Sequence, residues 1–310
     1  MKVMLKVSRQ RKGASLFIAL LMLWNLALAA CGTRSPQPNP AVTTRPQRIV
    51  SLSPNVTEIL YGVGAWPQVV AVSQYCTYPE DVKNKPRVDG WRDTNLEQVM
   101  ALKPDLVIGV DTQAPFVQDK LNALGMHTLF VTSQNLADVF TSIKEIGRAV
   151  GHEQQGVELA QQTQREIDAI RSSVANRGRP RVLFIVDRVP GTLRDLYTAT
   201  RGSFLDDLVG IAGGESIAPP SEHGYGKITK EAVLALDPEV IIDIVHHSEG
   251  KLSEDPVAVW HQLSEVRAVR EGRIYSLNDP MVVHPSQFVG RTAKILAQSI
   301  HPETFPNEPR

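Results

Sequence analysis

The sequence predicts an α/β fold of two lobes with mostly parallel sheets, joined by one long α-helix. Three observations predict it. After residue 47, short apolar runs alternate with amphipathic helical segments, which is typical of parallel sheets covered by helices. A long polar segment with a narrow apolar stripe, residues 152–176, interrupts this alternation. Finally, the stretch at residues 95–110 is repeated almost position by position at residues 229–244.

The first 30 residues have the form of a secretory signal and are excluded from the fold. Five basic residues precede an apolar run, residues 16–30, that is shorter than the roughly 20 residues a membrane span needs. Small residues then lead directly to Cys31. This arrangement resembles the lipobox of bacterial lipoproteins, in which the cysteine is lipidated and becomes the first mature residue. An ordinary signal peptide followed by a chance cysteine is the alternative.

Residues 33–47 contain four prolines and only one large apolar residue, so they predict a tether rather than a core. The chain is then divided as follows: residues 1–30, lipoprotein signal peptide; 31–47, lipidated cysteine and proline-rich tether; 48–150, N-terminal lobe; 151–178, interlobe helix; 179–302, C-terminal lobe; 303–310, tail.

Charge and cysteine content exclude some classes of function. The chain has 33 basic and 33 acidic residues, but five basic residues lie in the signal, which leaves 28 against 33. A mildly acidic mature protein argues against nucleic acid as a partner. With Cys31 lipidated, Cys76 has no cysteine left to pair with. We expect Cys76 to be a small buried residue rather than a metal ligand.

The elements of the first lobe follow from apolar runs punctuated by proline, glycine and capping residues. A helix begins at Pro54 after the first strand, and Asn95 caps a helix that stops at Pro104. The predicted strands are residues 48–53, 69–73, 105–110 and 127–132, and the predicted helices are residues 54–62, 95–104, 116–124 and 135–150.

The second lobe begins after a predicted helix of about 25 residues, roughly 37 Å long, which could connect two lobes as a stiff spine. The same alternation then restarts. The predicted strands are residues 181–187, 239–245 and 273–277, and the predicted helices are residues 203–212, 229–238 and 285–300.

The sequence repeat keeps a glutamate at the same place in each copy. Glu97 and Glu231 fall two positions after the capping residues Asn95 and Thr229, where the helix dipole favours an acid. The dipole does not explain why both copies use the same residue at the same position. The other identical positions pair Val99, Ala101, Leu102, Pro104 and Ile108 with Val233, Ala235, Leu236, Pro238 and Ile242.

The segments "SLSP", "TEILYGVG", "YCTYPEDVKNKPRV" and "NLEQVMALKPDLVI", and more weakly "SFLDDLVGIAGGESIA" and "ITKEAVLALDPEVII", resemble the substrate-binding proteins of ABC importers for cobalamin and ferric siderophores. The likeness covers nearly all of the mature chain and is closest to the cobalamin-binding members. It implies two Rossmann-like lobes, one rigid interlobe helix and a ligand cleft between the lobes. In this family one glutamate on each lobe docks onto arginines of the permease, and here these are Glu97 and Glu231.

The resemblance also implies partners and a location. The partners are an ABC permease and its ATPase in the inner membrane, and the protein is expected to be a monomer. It is expected in the cell envelope, lipid-anchored through Cys31 and facing the periplasm or the cell exterior.

Loops at the carboxyl ends of parallel strands are where open α/β sheets bind ligands. These loops carry aromatic residues that suit a large planar ligand such as a corrin or porphyrin. By resemblance, Trp91 and Tyr225 stand where the cobalamin binders place cleft aromatics. The full set of predicted ligand-binding residues is Tyr75, Tyr78, Trp91, Arg92, Asp187, Tyr197, Tyr225, His246 and His284.

The ligand stays open at this point. His223, His246, His247 and His284 could ligate heme iron, cobalt or a bare metal, but no local spacing supports a metal site. Anionic groups of a ligand could instead meet one of four arginines: Arg92, Arg188, Arg194 and Arg201. Cobalamin leads, a ferric siderophore or heme is second, and a simple oxyanion or metal is third. No cofactor or resident metal is expected.

A secreted hydrolase or chelatase is the rival class, with Asp187, His246 and His247 as its metal ligands. The chain has no His-Glu-x-x-His pattern, no Gly-x-Ser-x-Gly elbow and no phosphate-binding glycine loop, so no enzyme is expected. An envelope sensor with the same fold is a third class. A sensor would keep the cleft but would not need the docking glutamates.

Overall fold

The computed structural model describes residues 45–88, 90–222, 224–244 and 255–306. Cys31, His223, His246 and His247, all named above, lie outside the described residues. Residues Arg45–Arg310 form one compact unit. Within it, two sheets covered by helices confirm the predicted α/β class with two lobes.

The first lobe contains a four-stranded sheet in which every neighbouring pair is parallel, in the order β2-β1-β3-β4. β1 and β3 are buried along their whole length, as expected for central strands with helices on both faces. The strands are β1 Ile49–Ser51, β2 Val69–Val72, β3 Leu106–Val110 and β4 Thr128–Val131.

Local capping explains where the first-lobe helices begin. The Asn95 side chain accepts a hydrogen bond from the Gln98 backbone N–H, and Asn135 forms a reciprocal capping box with Asp138. The helices are α1 Pro54–Gly62, α2 Leu96–Ala101, α3 Ala114–Ala123 and α4 Leu136–Ala149.

The predicted interlobe helix is α5, Glu153–Ser173, with 21 residues. It packs against α4 of the first lobe and against the closing helix of the second lobe. The buried residues of α5 are Gly156, Ala160, Thr163 and Ile167. The apolar stripe predicted from the sequence was Ala160, Ile167, Ile170 and Val174; of these, Ile170 is half-buried and Val174 is buried just after the end of the helix. Among the described residues, no helix has both the length and the apolar character needed to cross a membrane.

The second lobe contains a six-stranded sheet in the order β10-β9-β5-β6-β8, with β7 also paired to β5. β10, β9, β5 and β7 run parallel, but β6 is antiparallel to both β5 and β8. The strands are β5 Arg181–Asp187, β6 Leu196–Ala199, β7 Glu215–Ser216, β8 Tyr225–Ile228, β9 Val240–Ile244 and β10 Ile274–Leu277.

The second-lobe helices are α6 Phe204–Ile211, α7 Lys230–Leu236, α8 Arg267–Arg270 and α9 Val289–Ile300. The predicted start of the closing helix at Pro285 is wrong, because α9 begins at Val289. The residues just before Val289 are not helical. His284, Ser286 and Gln287 hydrogen-bond to Glu58 of α1 in the first lobe instead.

One large apolar core runs through both lobes. It includes Ile59 and Ile143 of the first lobe, Ile167 of α5, and Leu205 and Leu296 of the second lobe, all fully buried. Two smaller clusters cover the other faces of the two sheets. The lobes therefore share a continuous core beside α5 and do not pack as two independent domains.

Candidate binding site

The first lobe carries a pocket of about 420 Å³ beyond the end of β2. Three of the predicted ligand-binding residues, Tyr75, Trp91 and Arg92, line it together. The pocket is completed by Gln74, Gly90 and Asp93. Trp91 is 37% exposed and Tyr75 is 52% exposed, so both rings have free surface for a ligand.

Close packing shapes this pocket. A Cβ at Gly90 would lie 2.9 Å from Gln74 Nε2 and 3.2 Å from the Tyr75 hydroxyl, so a larger residue would require the ends of these two side chains to shift. The Arg92 guanidinium lies 5.0 Å from the centre of the Phe116 ring, which holds the charge beside the pocket. Phe116 was not predicted, because its position on α3 gives it no sequence neighbour in the pocket loops.

Tyr78 is placed elsewhere. Its ring packs edge-on against Tyr61 at 5.2 Å and against Phe288 of the second lobe at 5.1 Å, and it does not line the pocket. Burial, followed by the nearby Tyr61 and Glu58, raises the pKa of the Tyr78 phenol above its ordinary value. These contacts give Tyr78 a role in interlobe packing.

Two predicted residues of the second lobe, Tyr197 and Tyr225, share one face of the sheet. Tyr197 is paired with Lys227, so these two side chains point the same way, whereas Asp187 is paired with Tyr197 across an irregularity in the register of β5 and β6. Tyr225 lies two residues before Lys227 on β8 and therefore points to the same side. The sequence placed Tyr197 and Tyr225 in loops, which is wrong, because both lie on antiparallel strands.

Lys227 was missed by the sequence reasoning. Its Nζ lies 3.0 Å from Asp195 Oδ1 and 5.2 Å from the centre of the Tyr197 ring. The spacing of Tyr225 and Lys227 in "YGKI" places them on one face only when the segment is known to be a strand, so the sequence alone carried no signal for Lys227. Burial raises the pKa of Tyr225, so its phenol stays protonated and can donate a hydrogen bond.

His284 is held by a buried acid of the other lobe. His284 Nδ1 lies 2.6 Å from Glu58 Oε1, and the Ser286 hydroxyl donates to Glu58 Oε2 at 2.5 Å. Gln287 Nε2 also donates to the Glu58 backbone carbonyl at 2.8 Å. Glu58 is 1% exposed. A carboxylate in this position fixes the tautomer and orientation of the imidazole, as it does for many metal-bound histidines.

The arginines separate into different roles. Arg188 was a candidate for anionic ligand groups, and this is wrong: its side chain is 4% exposed and donates to Asp243 at 2.9 and 3.1 Å. Arg201 lines a separate pocket of about 230 Å³ with Arg179 and Asp206. Arg194 is exposed. Only Arg92 of the four lines the first-lobe pocket.

Cys76 is buried, as predicted, with its sulfur 3.1 Å from the Thr57 hydroxyl. Burial, the largest influence, raises the pKa of the Cys76 thiol, so it is a poor nucleophile and a poor metal ligand. In the described parts of the chain, no three His, Cys, Asp or Glu side chains are grouped so that they could hold a metal ion.

Glu97 and Glu231 occupy equivalent, exposed positions in the first turns of α2 and α7. Asn95 and Thr229 cap the two helices by accepting from the Gln98 and Ala232 backbone N–H groups. Hydrogen bonds from its own backbone N–H, then from Thr229, lower the pKa of Glu231. Both acids are therefore available to a partner.

Comparison with known proteins gives a family match over most of the chain and a relative that spans nearly all of it. The sequence profile of the family described as "Periplasmic binding protein" matches residues 49–281. The chain is 28% identical over 323 residues to an uncharacterized ABC transporter substrate-binding lipoprotein of Bacillus subtilis (strain 168), YvrC, and the match covers 95% of this chain and 99% of that protein.

Two further relatives differ in what their names say they bind. The vitamin B12-binding protein of Yersinia pestis (strain Pestoides F) is 30% identical over 199 residues, covering 63% of this chain and 69% of that protein. The periplasmic heme-binding protein RhuT from Roseiflexus sp. RS-1, solved in its apo form, is similar with a TM-score of 0.73 and 27% identity, covering 83% of this chain and 99% of that one.

Proposed function

Because this chain belongs to the periplasmic binding protein family, we propose that it is the substrate-binding lipoprotein of an ABC importer and that it captures a corrinoid such as cobalamin. The observation that carries the ligand proposal is the aromatic pocket of the first lobe, with the free faces of Tyr75 and Trp91. Flat aromatic surfaces suit a large planar macrocycle. The vitamin B12-binding relative supports the same ligand.

Charge favours a corrinoid over heme. In the pocket, Arg92 is accompanied by Asp93, and on the second-lobe face Lys227 is paired with Asp195. The amide side chains of a corrin are neutral, whereas heme carries two anionic propionates. A lining in which positive and negative side chains are equal in number suits the neutral amides of a corrin. A heme site would instead be expected to place an unpaired cation opposite each propionate carboxylate.

Heme or a ferric siderophore is the second candidate. His284, with its Nδ1 fixed by Glu58, is the observation that favours it, because such a histidine is oriented to ligate iron. The heme-binding relative supports this candidate too. An envelope sensor is the least favoured, because a sensor has no need of two equivalent exposed glutamates.

The remaining parts of the proposal concern the partners and the anchor. Cys31 carries the lipid, and Glu97 and Glu231 dock onto an ABC permease that works with its ATPase in the inner membrane. Two equivalent acids on two equivalent lobes suit a permease made of two equivalent halves. The protein acts as a monomer in the cell envelope and performs no catalysis.

Calorimetric titration of the compact unit Arg45–Arg310 with cyanocobalamin, hemin and a ferric hydroxamate tests the ligand. We expect binding of cyanocobalamin alone. Trp91→Ala should weaken it about tenfold, because a lost aromatic contact costs up to roughly 1.5 kcal/mol. Leu124→Ala, which removes an exposed apolar side chain outside the pocket, is the control and should leave the affinity unchanged. Tight binding of hemin with no heat from cyanocobalamin would contradict the corrinoid proposal and favour the second candidate.

A further inference from the structure

Two arginines bind the ends of α2 and α7, the helices that carry Glu97 and Glu231. In the first lobe, Arg48 Nε and Nη2 donate to the Leu102 carbonyl at 2.9 and 2.6 Å. In the second lobe, Arg181 Nη2 donates to the Leu236 carbonyl at 2.6 Å. Leu102 and Leu236 occupy the same position of the sequence repeat. Each guanidinium satisfies a carbonyl at a helix C-terminus, where the dipole favours a cation.

Each arginine is itself fixed by an acid that precedes the next strand. The Arg48 backbone N–H donates to Asp105 Oδ1 at 2.9 Å, and the Arg181 backbone N–H donates to Glu239 Oε2 at 2.8 Å. The backbone N–H groups of Asp105 and Glu239 return hydrogen bonds of 2.9 Å to the carbonyls of the same two arginines. Asp105 and Glu239 are again equivalent positions of the repeat.

The turn after each helix is also the same, although it is unfavourable. Lys103 has φ 47° and Asp237 has φ 41°, in the left-handed region that side chains with a Cβ rarely adopt. A proline follows each of them. Among the described residues other than glycine, only Asp195 shares this conformation. The same disfavoured turn in both lobes indicates that the fold requires one particular backbone conformation at the C-terminal ends of α2 and α7.

We propose that Arg48 and Arg181 are positioning residues that fix the tilt of α2 and α7 and so set the distance between Glu97 and Glu231. The inference rests on the proposed docking role of these two glutamates. α2 has six residues, and Glu97 lies about 7.5 Å along the helix axis from Leu102, so a tilt of about 15–30° at the fixed end moves Glu97 by roughly 2–4 Å. A symmetric permease would bind both glutamates only at one spacing.

Pulsed electron–electron double resonance between spin labels at positions 97 and 231 measures this distance directly. The full chain would carry Glu97→Cys, Glu231→Cys and Cys31→Ser, and the buried thiol of Cys76 would stay unlabelled. We expect Arg48→Ala and Arg181→Ala each to shift or broaden the distance distribution by roughly 2–4 Å, and the double variant to do so more. Arg48→Lys, which has a single donor group, should restore the distribution only in part.

Arg171→Ala is the matched control, because Arg171 is an exposed arginine that pairs with Asp168 on α5. It should leave the distribution unchanged. A role limited to stability would lower the melting temperature of the Arg48 and Arg181 variants without changing the distance measured well below it. An unchanged distribution in the double variant would therefore overturn the proposal.

A second arm separates this proposal from the docking proposal. The variant Glu97→Arg/Glu231→Arg, with both arginines Arg48 and Arg181 intact, is tested for uptake of the ligand in cells that contain the permease. If uptake survives charge reversal while Arg48→Ala still shifts the spin-label distance, the docking role fails and the positioning role of the arginines stands. If uptake is lost in the charge-reversed variant while Arg48→Ala leaves the spin-label distance unchanged, the docking role stands and the positioning role of the arginines fails.

Discussion

The ion pair between Arg188 and Asp243 lies inside the second lobe, with side-chain exposures of 4% and 1%. Burial raises the pKa of Asp243, and hydrogen bonds from Arg188 and from Trp260 Nε1 oppose this rise. Arg188 Nη2 also donates to the Pro256 carbonyl, so the pair connects β5 and β9 to the segment that contains Trp260. Removing one partner would leave the other charge buried without compensation.

Asp243→Asn should therefore lower the free energy of unfolding by about 3–5 kcal/mol, as should Arg188→Met. The double variant Arg188→Met/Asp243→Leu should lose less than either single variant, because no charge stays buried. Urea denaturation of the three variants measures this. A double variant that is less stable than both single variants would contradict the argument.

For single residues, the sequence predicts a role correctly when that role depends on neighbours close by in the chain. Glu97 and Glu231 were placed correctly in their helices, because a cap and a proline within ten residues define the position. Arg188 was misassigned because its partner Asp243 is 55 residues away. Arg48 and Arg181 were seen only as the first residues of strands, since their carbonyl acceptors are 54 and 55 residues away.

Glycine sets the distance between elements along α5. A Cβ at Gly147 of α4 would lie 2.9 Å from the Gly156 Cα of α5, and a Cβ at Gly156 would lie 3.0 Å from the Ile143 carbonyl oxygen. The two helices therefore meet backbone to backbone. Since backbone atoms cannot rotate away as a side chain can, this contact fixes how α5 lies on the first lobe.

Gly147→Ala should destabilise the protein by about 1–3 kcal/mol, because the added methyl forces α4 and α5 apart. This outcome is opposite to helix propensity, which favours alanine by up to about 1 kcal/mol. Gly210→Ala in α6 is the control: the nearest atom to its Cβ would be Arg179 Nη2 at 3.8 Å, so propensity should prevail and stabilise. Thermal unfolding of both variants tests this, and equal shifts in the same direction would refute it.

The sequence predicts most elements to within a few residues, because Pro54, Pro104 and Pro238 mark where helices begin or must end. β5 was predicted with its observed limits, since residues 182–186 are a continuous apolar run between Arg181 and Asp187. β6 and β8 were missed because "LYTA" and "YGKI" are short and contain small or polar residues. Their pairing depends on β5, and no local pattern reports it.

At the scale of the whole molecule, two sets of hydrogen bonds join the lobes beside α5. One set connects Glu58 to the segment containing His284 and Ser286. The other connects the starts of α4 and α6: the Phe204 N–H donates to the Gln134 carbonyl at 2.8 Å, and the Leu136 N–H donates to Asp207 Oδ2 at 3.0 Å. With the shared apolar core, these contacts oppose a large hinge motion.

We therefore expect the radius of gyration, roughly 18 Å for a unit of this size, to change little when cyanocobalamin binds. Glu58→Gln should enlarge that change, because the amide nitrogen cannot accept a hydrogen bond and one partner, Ser286 or His284, loses its acceptor. Small-angle scattering with and without ligand measures both, and Glu153→Gln, which alters only a surface ion pair with Arg148, is the control. A large compaction of the unmodified protein would show that the interlobe contacts break on binding, and the lobes would then move about α5 as a hinge.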